Sequence, residues 1–271
     1  MTTTASRLLP LLLTCVAPLT GCDGALFDGG DDFRAAVDEV VATGEGESLE
    51  NDILEITTSF TLAAGLETAA TQVRAYVETQ LPCAVIEAPV PNTLVVAFGE
   101  AEGDCEVNGR SLSGKLTVAF EASVDQVVVT HTYEALTNGR ATLDGSAVVT
   151  WTEASRHVVT DLDVETSRGS FTANADRTQR RLGAVGDGIV VSGTRDWSGP
   201  RGDWHVDIED VEIRGIDPVP QDGAYVLTQP SGNEITMTFD RIDDDTIEVE
   251  VTGGRRDRTF RVTASGTVDD A

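Results

Sequence analysis

From Cys83 to the C-terminus the sequence alternates, and this period of two most constrains the fold. Val127, Val129, His131 and Tyr133 fall on one side of such a segment, and Val158, Thr160, Leu162 and Val164 on one side of another. Ile235, Met237 and Phe239 are spaced to pair with Ile247, Val249 and Val251. Turn signals separate the segments: Asn138-Gly139, Ser231-Gly232-Asn233, Asp243-Asp244-Asp245 and Gly253-Gly254. About ten strands at hairpin spacing, with no helices between them, predict a large antiparallel sheet, sandwich or open barrel.

Upstream the period is helical. Phe33, Ala36, Val37, Val40 and Val41 predict a helix behind Asp31 and Asp32, ended by the glycines of "ATGEGES". Ile53, Ile56, Phe60, Ala63, Ala70, Val73, Val77 and Leu81 predict a second, longer helix that Pro82 stops. Its apolar stripe must be covered, and the sheet is the surface to cover it. The expected class is mainly β with N-terminal helices, an α+β chain with the long helix packed on the sheet.

The first residues belong to neither part. "MTTTASR" carries one charge, Arg7, and Leu8 to Leu19 form a short apolar run broken by Pro10 and Pro18. That is the layout of a secretory signal, and the run is too short for a bilayer-spanning helix. Behind it, Leu19-Thr20-Gly21-Cys22 resembles the lipobox of bacterial lipoproteins, in which the cysteine receives lipid and becomes the mature N-terminus. The resemblance implies acyl (palmitate) modification of Cys22, attachment to a bilayer, and a place in the bacterial cell envelope facing periplasm or cell surface. Several acyl chains on one residue anchor stably where a single chain binds marginally. The organisation expected is a signal peptide at 1–21, a lipidated flexible tether at 22–32, a helical segment at 33–82 and an antiparallel β domain at 83–271.

With Cys15 in the signal and Cys22 lipidated, Cys83 and Cys105 remain, and two leftover cysteines in an exported chain predict a disulfide. Two independent buried thiols are the alternative. A metal site has no Cys-x-x-Cys and no neighbouring histidine in its favour. Just beyond lies a second resemblance: Phe98-Gly99, Cys105, Gly109-Arg110 and Ser113-Gly114-Lys115 resemble a pattern in uncharacterised, β-rich envelope lipoproteins, over roughly Thr93 to Trp151. It implies location and fold and carries no activity. Within it the glycines and Arg110 read as turn and strand-edge residues.

The chain carries 46 acidic and 19 basic residues, a net charge of −27, and removing 1–21 takes away only Arg7. Nucleic acid and anionic lipid are poor partners for such a surface. Lys115 is the only lysine. Abundant acid with scarce lysine suits a salty medium, and codon bias explains the same shortage.

No nucleophile elbow, zinc-binding helix or phosphate loop is present, and "GAVGDG" at Gly183 to Gly188 reads as a loop. His131, among valines, reads as a half-buried structural histidine. His157 and His205 open two similar segments, each in register with acids: Asp161, Asp163 and Glu165 in one, Asp207 and Glu209 in the other. Such faces suit a divalent cation or paired acid-base carboxylates. A solvated outer face, opposite Val158/Leu162/Val164 and Trp204/Val206/Ile208, is the simpler reading. Trp197 and Trp204 flank "SGPRGD", one read as a core residue and one as lying at a strand end. The sequence thus implies no cofactor and no metal. It supports an envelope lipoprotein with a binding or structural role and an unspecified envelope protein, glycan or apolar ligand as partner. A carboxylate-based glycan hydrolase and a lipid or apolar-ligand carrier are the alternatives.

Overall fold

The alternation resolves into one antiparallel sheet of fourteen strands. The computed structural model describes residues 30–58, 66–122, 126–151, 155–183, 188–254 and 257–271. Two helices come first, α1 (Gly30–Thr58) and α2 (Leu66–Gln80). The strands are β1 (Val85–Glu87), β2 (Thr93–Phe98), β3 (Glu106–Val107), β4 (Arg110–Ser111), β5 (Ser113–Ala122), β6 (Val127–Thr137), β7 (Ala141–Trp151), β8 (Arg156–Thr166), β9 (Gly169–Arg181), β10 (Ile189–Gly199), β11 (Gly202–Ile213), β12 (Asp222–Thr228), β13 (Glu234–Arg241), β14 (Thr246–Thr252), β15 (Arg258–Thr263) and β16 (Val268–Asp270). All pair as sequential neighbours except β3 and β4, which form a separate small hairpin between β2 and β5. The sheet is not closed, and β1 and β16 are its edges. There are more strands than the turn signals alone separate, and the predicted pairing holds: Met237 lies opposite Val251 and Phe239 opposite Val249.

The sheet curls around α1. Arg140, in the β6–β7 turn, donates to Ala264 O, and Arg168, in the β8–β9 turn, donates to Gly266 O at 2.8 Å. Both acceptors lie in the β15–β16 turn, so the last hairpin comes back to the turns of the central strands. The bending devices are local. Gly193 has φ +138° at a register shift in β10, and a Cβ there would strike the backbone of β9. Ala135 and Asp210, with φ of 46° and 45°, sit in the irregular registers of β6 and β11.

Inside this curl α1 is covered on nearly every side. From Glu39 to Thr58 every residue is buried except Gly44 and Glu55, which are half-buried. Phe33, Val37, Val41, Ile53 and Leu54 join the inward residues of the strands in one continuous core. The predicted break at "ATGEGES" is therefore wrong: Gly44 and Gly46 lie in mid-helix. Their role is close approach. A Cβ on Gly44 would run into the carbonyl oxygen of Pro218, and one on Gly46 would stand 2.7 Å from Val164 Cγ1. The apolar stripe read as one long helix is divided: Ile53 and Ile56 belong to α1, Val73 and Val77 to α2, and Phe60 and Ala63 lie outside the described residues.

Cys83, three residues beyond α2, and Cys105, ahead of the β3–β4 hairpin, form a disulfide with Cα atoms 5.4 Å apart. The bridge ties the helix end to the loop after β2, where Ala101 N also donates to Cys83 O. Closing a loop of this length contributes roughly 3 kcal/mol in the chain-entropy account.

Helix propensity and packing make opposite forecasts for Gly44→Ala. Propensity alone would add about 1 kcal/mol of stability. The collision with Pro218 is expected to remove about 1 to 3 kcal/mol instead. A urea unfolding midpoint below that of the parent protein confirms close approach, and one above it refutes it.

Candidate functional site

The acids and histidines singled out in the sequence lie on the outer face of the sheet. Along β8, Arg156, Val158, Thr160, Leu162 and Val164 point inward, while His157, Asp161, Asp163 and Glu165 are exposed. His157 Nε2 pairs with Asp176 at 2.6 Å, and His205 Nδ1 with Asp196 at 2.7 Å. Asp161 stands opposite Asn174, Asn174 opposite Asp196, and Asp196 opposite His205. The two acidic strands are thus three strand spacings apart, about 14 Å. Glycosidase carboxylates work within roughly 5 to 9.5 Å. These acids do not converge, and β8 and β11 run in opposite directions, so their similar segments are not two copies of one site. Among the described residues no group of three or more His, Cys, Asp or Glu is placed to hold a metal ion.

The charged constellation that the sequence did not reveal is inside. One side of α1 carries Glu39, Thr43, Glu47, Glu50, Asn51 and Thr58, spaced so that they share a stripe. The central strands turn arginine toward it at alternate positions. Arg177 of β9 donates to Glu47 Oε1 and Glu50 Oε2, both at 2.6 Å, and Arg195 of β10 donates to Glu47 Oε2 and Thr43. Gln179 meets Asn51 at 3.1 Å, and Arg156 of β8 binds Thr58 and Gln179. At the other end Trp197 Nε1 donates to Glu39 at 2.9 Å, and Arg201 pairs with the same carboxylate. Both tryptophans are buried and stacked, 5.9 Å between centroids, with Trp197 in the core as expected and Trp204 at the start of β11, a strand end that is covered. His131 is fully buried rather than half-buried, hydrogen-bonded to Thr57, and burial together with Arg156 lowers its pKa to about 3, so it stays neutral.

Burial pushes these carboxyls up and the arginines pull them back. For Glu47 two arginines outweigh burial, and its pKa is lowered. Glu50 is raised, because burial, helped by the neighbouring Glu47 charge, outweighs the pull of Arg177 and Arg156. The concave face is in this way occupied by the protein's own helix.

One cavity of about 300 Å³ opens beside the C-terminal half of α1. Asn51, Asp52 and Glu55 form its helical wall, and Ile189, Ile213, Arg214, Gly215 and Ile216 supply the opposite wall. The β3–β4 hairpin covers one side: Asn108 Nδ2 donates to Asp52 Oδ1 at 2.7 Å, and Arg110 reaches Ser48 Oγ and Ile216 O. Arg110 therefore holds the hairpin to α1, a tertiary role beyond the strand-edge position expected. Burial raises the Asp52 carboxyl to about 7, against the pull of Arg110 and the Asn108 hydrogen bond. Of "GAVGDG", residues 184–187 lie outside the described residues, and Gly188 lines the cavity. No protein-family model, curated protein or solved structure matches the chain.

Removing one partner from the interior cluster strands a buried charge. Arg177→Met leaves Glu50 without its arginine and Glu47 with one, and is expected to cost about 3 to 5 kcal/mol in urea unfolding at neutral pH. Adding Glu50→Gln should recover part of that loss.

Asp52 gives a pH signature. The fold holds its proton up to about 7, whereas the unfolded chain releases it near 3.9. The folded state binds more protons between those values, so stability falls as pH rises through that window. Asp52→Asn cannot ionise. It is expected to melt several degrees above the parent at pH 8 and at the same temperature near pH 4; equal melting at pH 8 would reject the raised pKa.

Proposed function

We propose that this chain is a lipid-anchored protein of the bacterial cell envelope whose body has a binding role. The observation that carries the reading is Leu19-Thr20-Gly21-Cys22 directly behind a signal-like segment. The signal peptide at 1–21, Cys22 and the tether up to residue 29 lie outside the described residues. The Cys83–Cys105 bridge supports export, since disulfides persist in oxidising compartments. No helix among the described residues is long and apolar enough to cross a membrane.

The direction of α1 adds a reason for a binding role. From Gly30 to Asp52 an α-helix rises about 33 Å. An anchor at Cys22 joins the body at the start of α1, and the cavity opens at its other end, away from the attachment point. A rigid stalk enclosed by its own sheet would carry a small binding site into the aqueous space outside the membrane. The acidic exterior keeps that body off anionic headgroups.

The anchor is tested on the expressed full chain. The mature protein is expected to partition into detergent with an acylated Cys22 as its N-terminus by mass spectrometry, and Cys22→Ala to abolish the acylated species. An unmodified N-terminus at another residue would overturn the anchor.

A further inference from the structure

The cavity beside α1 has two chemically distinct ends and an apolar side. At one end Asp52, 6 % exposed, has no ion-pair partner among the described residues and accepts one hydrogen bond, from Asn108. Gly215 stands so close that any side chain there would collide with Asp52 Oδ1, which keeps the space in front of the carboxyl narrow. At the other end are Arg156 and Asn51, 3 % and 6 % exposed; Arg156 Nη1 pairs with Glu55 at 3.5 Å, and Arg156 Nη2 and Asn51 Nδ2 have no partner among the described residues. Buried donors and acceptors left unmatched cost roughly 1 to 3 kcal/mol each and are rare without a reason. Ile189, Ile213 and Ile216 complete the wall with aliphatic surface.

We propose that this cavity binds a small zwitterion with an aliphatic body, its ammonium group on Asp52 and its carboxylate on the Arg156 Nη2 and Asn51 Nδ2 donors. The volume of about 300 Å³ suits a molecule of amino-acid size. Arg156 already pairs with Glu55 at 3.5 Å and Arg214 with Asp217 at 3.2 Å, so what the cavity offers a ligand is the Asp52 carboxyl on one side and the Arg156 Nη2 and Asn51 Nδ2 donors on the other. A molecule with both charges matches both ends, and the isoleucines take its hydrocarbon. This site specifies the ligand class for the binding role proposed above and does not depend on how the chain is anchored.

Binding is linked to protons. Asp52 faces Glu55 on its own helix, Asn108 and Arg110 from the β3–β4 hairpin, Arg214 beyond β11 and Arg156 from β8. Burial keeps the Asp52 carboxyl protonated below about 7, and an ammonium group requires it ionised. Affinity is therefore expected to weaken by about tenfold for each pH unit below 7.

The test uses the full chain in detergent micelles, screened by thermal shift against the twenty standard amino acids, glycine betaine and taurine, and followed by calorimetric titration. Leucine is the reference probe, with isoamylamine and 4-methylvalerate as its cation-only and anion-only counterparts. Saturable binding of at least one zwitterion, binding of leucine at least tenfold tighter than either counterpart, and loss on Asp52→Asn are expected. Ile216→Trp, which fills the cavity mouth from a residue already 39 % exposed, should block binding with melting unchanged. Binding by none of the zwitterions, equal affinity for isoamylamine, or full binding by folded Asp52→Asn would overturn the site, and acylation of Cys22 would stand or fall separately.

Discussion

The rest of the structure depends on the ion cluster in which Arg177 and Arg195 hold Glu47 and Glu50. A helix enclosed by a sheet buries its whole circumference, and an apolar helix in that position has no strong reason to prefer one rotation. The cluster supplies one. Glu47 is gripped from two strands at once, and the forked geometry of Arg177 spans Glu47 and Glu50 one turn apart. Desolvating four charged groups is expensive, so the net gain against an apolar interior is small. What the arrangement supplies is orientation. Thr43, Asn51 and Thr58 then fall opposite Arg195, Gln179 and Arg156, Glu55 pairs with Arg156 and Arg181, and Ser48 and Asp52 are turned toward the β11–β12 loop and the β3–β4 hairpin.

That orientation places close contact and open space at different levels of the same helix. Around Gly44 and Gly46 the partners are Pro218, Val164, Ala173 and Ala175, small or backbone surfaces that let the helix axis come near. Two to three turns after Gly44 the residues are Asp52 and Glu55, and the partner surface is the short hairpin with the Arg214–Ile216 turn. Longer side chains hold the walls apart, and the cavity is the gap between them. Asp52 is raised toward neutral because it is buried at the rim of that gap without a dedicated arginine, unlike Glu47 a little more than a turn before it.

How much of this was legible follows from which residues speak locally. Alternation in β8 separates Val158, Leu162 and Val164 from Asp161 and Asp163 because one face is apolar and the other charged. In β9 the same period places Ala173, Ala175, Arg177 and Gln179 on one face and Asn174, Asp176, Thr178 and Arg180 on the other, and polarity alone cannot tell which is inside. Only the helical partner decides, and it lies more than a hundred residues away. Gly44 and Gly46 failed for the same reason, since a glycine that breaks a helix and one that admits a neighbouring carbonyl look alike until Pro218 is in place. The cysteine pair was legible because it needed only counting. Asp52, Asn108 and Gly215 come from three distant stretches, and their meeting has no signature in any of them.

The scarcity of lysine gains a physical side from the same interior. Burial lowers Arg156 to a pKa of about 10, and it remains charged at neutral pH. A lysine in that setting would start from a lower ordinary pKa, would lose its charge more readily, and would meet two carboxylates as a point charge, without the planar fork of Arg177. Lys115 sits on the surface, paired with Glu134. The interior takes in carboxylates as well as arginines, and the outer surface keeps the acidic character of the whole chain, with Asp161, Asp163, Asp176, Asp196 and Asp207 all on the outer face of adjacent strands. A field of that sign repels anions and holds simple cations at the surface. A molecule whose charges cancel crosses it without penalty, and the ligand proposed for the cavity is of that kind.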